Sequence, residues 1–235
     1  VQSMSPAPES KRTRGRPRGS RPALSLPAVV DASVALLDEA GQDALTFRAL
    51  AARMETGVGA IYHYVTGRDE LLDRATNAIL ADVLSGVDVR EDPFEVLRTL
   101  SATLFDTLQA HEWAGAYLLR DTTMQPNSLR IFEAMGQQFM RMQLTSAQCF
   151  NAASGLLSFV VGSGAEIREM PAAFLEEGVS QEEHLQEFAD AWLALDAHEF
   201  PFLHTIARGF AQHDDREQFL AGVDIYLAGV RAQLG

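Results

Sequence analysis

Residues 46–72 read Thr-Phe-Arg-Ala-Leu-Ala-Ala-Arg-Met-Glu-Thr-Gly-Val-Gly-Ala-Ile-Tyr-His-Tyr-Val-Thr-Gly-Arg-Asp-Glu-Leu-Leu. This stretch decides the fold. Thr46 is a good cap for a helix carrying Phe47, Leu50, Ala51 and Met54 on one face. A short break follows at Glu55-Thr56-Gly57, and a second short helix is predicted from Val58 to Tyr64. Two such helices, joined tightly and packed through small and apolar residues, make a helix-turn-helix. Ala51 is small enough for close approach. Leu50, Met54 and Ile61 glue the pair to a preceding helix, and the outer face of residues 58–64 stays free. A major groove, about 12 Å wide, admits one such helix.

Upstream, Ser25 can cap a helix with Pro27 in its first turn. Val30, Val34 and Leu37 line one face, and Gly41 ends it. Downstream, Thr66 is predicted to cap a fourth helix with Asp69 in a capping-box position, continued by Leu71, Leu72, Ala75 and Ile79. Asp92-Pro93 opens the next helix, with Leu97, Leu100, Leu104 and Leu108 on its core face. Helical periods recur over residues 126–143, 146–169, 181–197 and 201–212, with Pro171 stopping the second of these. The last helix follows the Asp214–Glu217 capping-box spacing and carries Phe219, Val223, Tyr226, Val230 and Leu234. No strand or hairpin signal stands out. The predicted fold is all-α: a flexible basic arm at 1–24, a helix-turn-helix head at 25–80, and a helical body at 81–235.

Charge supports this division. The chain of 235 residues has a net charge of −13, which alone argues against a nucleic-acid partner. The distribution reverses that impression: residues 1–22 are net +5, residues 23–80 net −4 and residues 81–235 net −14. An acidic body is repelled by phosphates, so any DNA surface belongs to the arm and the head. Within the arm, Arg14-Gly15-Arg16-Pro17 is similar to the core of an AT-hook, which lays Arg side chains in a narrow minor groove. A solubilising tail or a non-specific phosphate binder is the alternative.

The helix-turn-helix segment resembles the TetR family of transcriptional regulators at Thr46, Arg48, Leu50, Ala51, Gly59, Ala60, Ile61, Tyr62, Tyr64, Arg68, Glu70 and Leu71. The run Ile61-Tyr62-His63-Tyr64-Val65 looks most like the tetracycline-repressor branch, and residues 219–230 are similar to that branch's final helix. Three positions depart from the pattern: Glu55-Thr56 replace the usual Gly-Val of the turn, Gly57 replaces a Ser or Thr cap, and Arg68 replaces a Lys. The resemblance implies that Val58, Gly59, Ala60, Tyr62 and His63 face the groove. Val58 and Ala60 can touch thymine methyls but make no bidentate bonds. Thr46 and Arg48 then stand at the start of the second helix, with Arg48 the best candidate for a guanine or phosphate. Tyr62, His63, Tyr64 and Arg68 are expected at phosphates.

The resemblance implies that the body at 81–235 binds an effector and dimerises, and that the protein is a dimeric repressor that a small molecule releases from a palindromic DNA operator. An activator using the same head, and a helical ligand carrier or enzyme with a vestigial head, are the alternatives. Phe105, His111, Trp113, Tyr117, Met124, Trp192 and Phe202 are candidate effector contacts, each of which could equally be core. Abundant Phe and Met suit a lipophilic effector. Small residues at 152, 153, 155, 162 and 164, and at 221, 222, 228 and 229, suggest two helices paired across a dimer interface, or packed within one chain.

No catalytic or metal motif is found, so neither enzyme activity nor a cofactor is expected. His198, His204 and His213 are too irregularly spaced for a metal site on one helix face. Cys149 is the one cysteine, which precludes an intramolecular disulfide and fits a reducing compartment. No apolar run reaches the ~18 residues of a membrane span, and no apolar core follows the basic N-terminus as a secretory leader requires. A cytoplasmic protein without a membrane partner is the expectation.

Overall fold

The structure is a computed structural model that describes residues 24–120, 125–166, 180–210, 212 and 214–234. The arm, with Arg14 and Arg16, lies outside the described residues, as do Met124, Pro171 and His213. Every regular element among the described residues is helical: α1 (Leu26–Ala44), α2 (Phe47–Arg53), α3 (Val58–Ile61), α4 (Arg68–Ile79), a 3₁₀ turn (Leu80–Asp82), α5 (Pro93–Ala110), α6 (Glu112–Leu118), α7 (Pro126–Arg141), α8 (Ser146–Ala165), α9 (Gln181–Leu193), α10 (Pro201–Phe210) and α11 (Asp215–Arg231).

The caps read from the sequence form as local chemistry dictates. Ser25 accepts from the Ala28 N–H, Thr46 from Ala49, Asp92 from Phe94 and Glu95, and Asp214 from Glu217. Each bond satisfies one of the amides that a helix start leaves unpaired. Gly41 breaks the helical geometry of α1 with φ 70°, and one more helical turn follows it.

The predicted cap of α4 shifts by one residue. Gly67, not Thr66, is the N-cap, and Glu70, not Asp69, reaches back to the Thr66 N–H and hydroxyl at 2.7 and 2.8 Å. The longer Glu side chain spans the extra residue that the shorter Asp cannot.

Leu37, Leu45, Leu50, Ile61 and Leu71 are fully buried and form the centre of the head. The same apolar cluster continues through Leu80 and Val83 into Leu97, Leu100, Leu104 and Leu108 of α5, Met135 and Phe139 of α7, and Leu156 and Val160 of α8. Head and body therefore share one core. In the body, Phe219 of α11 stacks on Phe105 at 4.1 Å, with Phe159 beyond it at 5.6 Å. Arg98–Asp224 and Arg216–Asp106 pairs flank that contact between α5 and α11.

The small residues of α8 and α11 act largely within the chain. A methyl on Gly155 would strike the Tyr226 hydroxyl, one on Gly222 the Phe159 ring, and one on Gly164 the Leu108 side chain. Tyr226 donates to the Ala152 carbonyl at 2.9 Å. Gly162 and Gly229 face open space, and Phe150 and Ile225 stand 65% and 75% exposed nearby in the chain. An open groove between α8 and α11 is lined by Leu144, Gln148, Asn151, Ala152, Ile225 and Tyr226.

Candidate nucleic-acid interface

The turn between α2 and α3 closes with paired bonds: Glu55 N–H to Ala52 O at 3.2 Å, and Thr56 N–H to Ala51 O at 2.9 Å. This is a Schellman arrangement, which puts one residue in the left-handed region. Glu55 occupies it with φ 49°, where glycine would be unstrained. The departure from the family turn noted in the sequence thus keeps the glycine-type backbone and adds an exposed acidic residue.

α3 is shorter than predicted. Regular helix spans Val58–Ile61, and residues 62–64 continue as turns, with the Tyr64 and Val65 N–H groups sharing Ile61 O at 2.9 and 3.2 Å. Val65, only 1% exposed, then turns into the core before α4. Gly57 begins α3 without a side-chain cap. Its backbone still faces no neighbour within van der Waals distance of a Cβ, and the same holds at Gly59.

Ile61 anchors α3 inward with no exposed surface, which leaves the opposite face outside. Val58 is 37% and Tyr62 56% exposed; Gly59 and His63 are exposed, and Ala60 half-buried. Tyr62 stacks face to face on Phe47 at 4.3 Å, so the first residue of α2 fixes the ring at the end of α3. Periodicity offered no signal for that pair, since Phe47 read as core. Thr46 is exposed while capping α2, and Arg48 is exposed in its first turn. Arg53, at the far end of α2, is bound by both nitrogens to Glu39 at 2.6 Å. That pairing holds Glu39 below its ordinary carboxylate range and Arg53 above its own.

Two expected phosphate contacts are used within the head. The half-buried Tyr64 donates its hydroxyl to the Leu24 carbonyl at 2.8 Å, fixing the point where the chain enters α1. Arg68 donates to the Gln42 and Leu45 carbonyls at 2.6 and 3.3 Å. It thereby pairs a cation with carbonyls at the C-terminal end of α1, which the helix dipole favours. The family resemblance placed both residues near the groove; the packing of α1 shows where their polar atoms go.

The described effector candidates meet several separate partners. Phe105 is stacked in the core. Trp113 Nε1 and His111 Nδ1 both meet Asp38 of α1, at 2.7 and 2.8 Å. The Tyr117 hydroxyl donates to Asp73 of α4 at 2.6 Å. Trp192 packs on Phe210 at 4.3 Å between α9 and α10, and Phe202 is 69% exposed. Three of the seven therefore join body to head. Aromatic and polar-tipped residues look alike in sequence whether they line a pocket or bridge two helices.

No group of three or more His, Cys, Asp or Glu among the described residues is arranged to hold a metal ion. No described helix is long and apolar enough to cross a membrane.

Comparison with known proteins accords with this arrangement. Residues 29–75 match the family described as bacterial regulatory proteins, tetR family, and residues 90–234 match the tetracyclin repressor-like C-terminal domain. The chain is 28% identical over 148 residues to an HTH-type transcriptional regulator of Saccharopolyspora erythraea, covering 61% of each chain. It is 27% identical over 147 residues to the HTH-type transcriptional repressor DrrR1 of Streptomyces coeruleorubidus, covering 62% of this chain and 54% of that one. The chain thus spans little more than half the length of these curated relatives. A transcriptional regulator of the TetR type from Streptomyces coelicolor superposes with a TM-score of 0.75 at 36% identity, over 89% of this chain and 98% of that one. ActR of the same organism, solved in complex with actinorhodin, has the same fold, with a TM-score of 0.72 at 24% identity over 91% and 98% of the two chains.

Proposed function

The chain belongs to the TetR family of transcriptional regulators, and from that premise we propose that it is a dimeric repressor that a small molecule releases from a palindromic operator. The observation that carries this reading is the outward face of α3. Ile61 is wholly buried while Val58, Gly59, Tyr62 and His63 are exposed beside Thr46 and Arg48 of α2. That is the disposition of a helix available to a major groove.

In this reading Val58, Gly59 and Ala60 approach base edges. Arg48 meets a guanine or a phosphate, and Tyr62 and His63 meet the backbone. Arg14 and Arg16 of the arm add minor-groove or phosphate contacts. Two-fold operators need two heads about 34 Å apart, and a second copy provides the other head. The exposed Phe150 and Ile225 and the open glycines of α8 and α11 supply an apolar face for that copy. The effector is a lipophilic molecule bound by the helical body. It releases DNA by preferring the arrangement in which the heads are misplaced.

The test is fluorescence anisotropy on duplexes that the protein enriches from a random pool. Arg48→Ala is expected to weaken binding by about tenfold or more, the scale of one lost base contact, with melting temperature unchanged. Wild-type affinity in that variant removes Arg48 from the interface, and failure to enrich any duplex rejects the reading as a whole. A thermal-shift screen of lipophilic compounds, followed by operator release, tests the effector. A reporter in a deletion strain separates repressor from activator.

A further inference from the structure

Asp38 of α1 and Asp73 of α4 are carboxylates on the head, and each receives two side chains of the body on one oxygen. Asp38 Oδ1 accepts from Trp113 Nε1 at 2.7 Å and meets His111 Nδ1 at 2.8 Å. Asp73 Oδ1 accepts from the Tyr117 hydroxyl at 2.6 Å and from Gln125 Nε2 at 2.7 Å. One turn further along α4, Asn127 donates its backbone N–H to Asn77 Oδ1 at 2.9 Å and its side-chain amide to the Asn77 carbonyl at 2.6 Å. Gln42 of α1 adds a bond to the Trp113 carbonyl at 2.9 Å.

The apolar attraction that runs from head to body is non-directional, so it does not by itself single out one angle between them. Hydrogen bonds to a carboxylate are shorter, stronger and directional. A single such attachment would leave a pivot. Two attachments on different helices of the head fix its rotation as well as its distance. We propose that Asp38 and Asp73 are positioning residues that set the angle of head on body, and so the half-site spacing the protein accepts. This rests on the operator-binding reading above.

The acceptor oxygen is what the geometry requires, so an amide in the same place preserves the attachment while alanine abolishes it. The first measurement uses a duplex enriched by the wild-type protein, together with copies carrying one or two base pairs inserted at its centre. The wild type discriminates against the insertions. Asp38→Ala/Asp73→Ala is expected to lose that discrimination by about tenfold or more while remaining folded and dimeric. Asp38→Asn/Asp73→Asn is expected to retain most of it. A merely structural role would lower melting temperature and weaken all spacings alike. That result overturns the proposal, as does unchanged discrimination in the alanine pair or an asparagine pair that falls as far as the alanine pair. Should the alanine pair fail to fold, Tyr117→Phe removes one hydroxyl and keeps the ring. It is expected to show a smaller loss of the same kind, and unchanged discrimination there overturns the proposal too.

A second measurement needs no DNA. Spin labels at Asp43→Cys on the head and Glu133→Cys on the body, in a Cys149→Ser background diluted with unlabelled protein, report their separation within one chain. A broader distribution in the alanine pair supports the proposal, and an unchanged one overturns it. If the wild type enriches no duplex, the operator reading fails, and this distance still decides the role of the two carboxylates.

Discussion

At Glu70 one side chain gathers four donor atoms. The Thr66 N–H and hydroxyl meet Oε2, and Arg74 one turn later donates from Nε and Nη2 to Oε1 at 2.9 and 2.7 Å. The backbone bond from Thr66, then the bonds from Arg74 and the Thr66 hydroxyl, hold its pKa down to about 2 from an ordinary 4.5. A carboxylate depressed in the folded state stabilises the fold above its unfolded pKa, and that contribution drains away as pH falls through the folded value. Between about pH 4.5 and 2 the wild type is therefore expected to lose more stability than Glu70→Gln. The difference is on the order of 1 kcal/mol once solvent screening of this partly exposed group is allowed for. Thermal melts of the two proteins across that window check it, and parallel curves would refute it. Residue identity alone announced neither this carboxylate nor the internal bonds of Tyr64 and Arg68. Their partners lie on the Leu24–Leu45 segment, 23 to 40 residues away in sequence.

Among the elements, α8 and α11 show how a small-residue stripe should be read. Gly155 lies beneath the Tyr226 hydroxyl, so Gly155→Ala places a methyl where that oxygen sits. Overpacking of this kind costs about 1–3 kcal/mol. In a Tyr226→Phe background the offending atom is gone, and the same substitution is expected to cost much less. Urea denaturation of the four proteins of that cycle measures the coupling, and additive effects would contradict the contact. The stripe permitted both an intrachain and an interchain partner, because a glycine says only that something approaches closely. At Gly155 the partner is Tyr226, about seventy residues away in the same chain.

For the whole molecule, the decisive feature is polarity of charge along the chain, with a basic arm of net +5 ahead of an acidic remainder. If the arm and two heads together neutralise 6–10 phosphates, operator affinity is expected to fall by about 10³–10⁵ between 50 and 200 mM salt. Anisotropy titrations across that range check it, and deletion of the basic arm should flatten the slope. An unchanged slope after deletion would place the arm away from the DNA.

Apart from α6, which the helical periods did not announce, the helices, the caps at Ser25, Thr46, Asp92 and Asp214, and the buried face of Leu50, Ala51 and Ile61 were legible in the chain itself. Each depends on neighbours within a few residues, where helical period and terminal amides rule. The one-residue shift of the α4 cap, the early end of α3 at Ile61, the stacking of Phe47 on Tyr62 and the bridging of head to body by Trp113 and Tyr117 were decided by tertiary packing. Local sequence gives a side chain's face and its chemistry, but its partner is chosen only when distant helices bring donors and acceptors within 3 Å of one another.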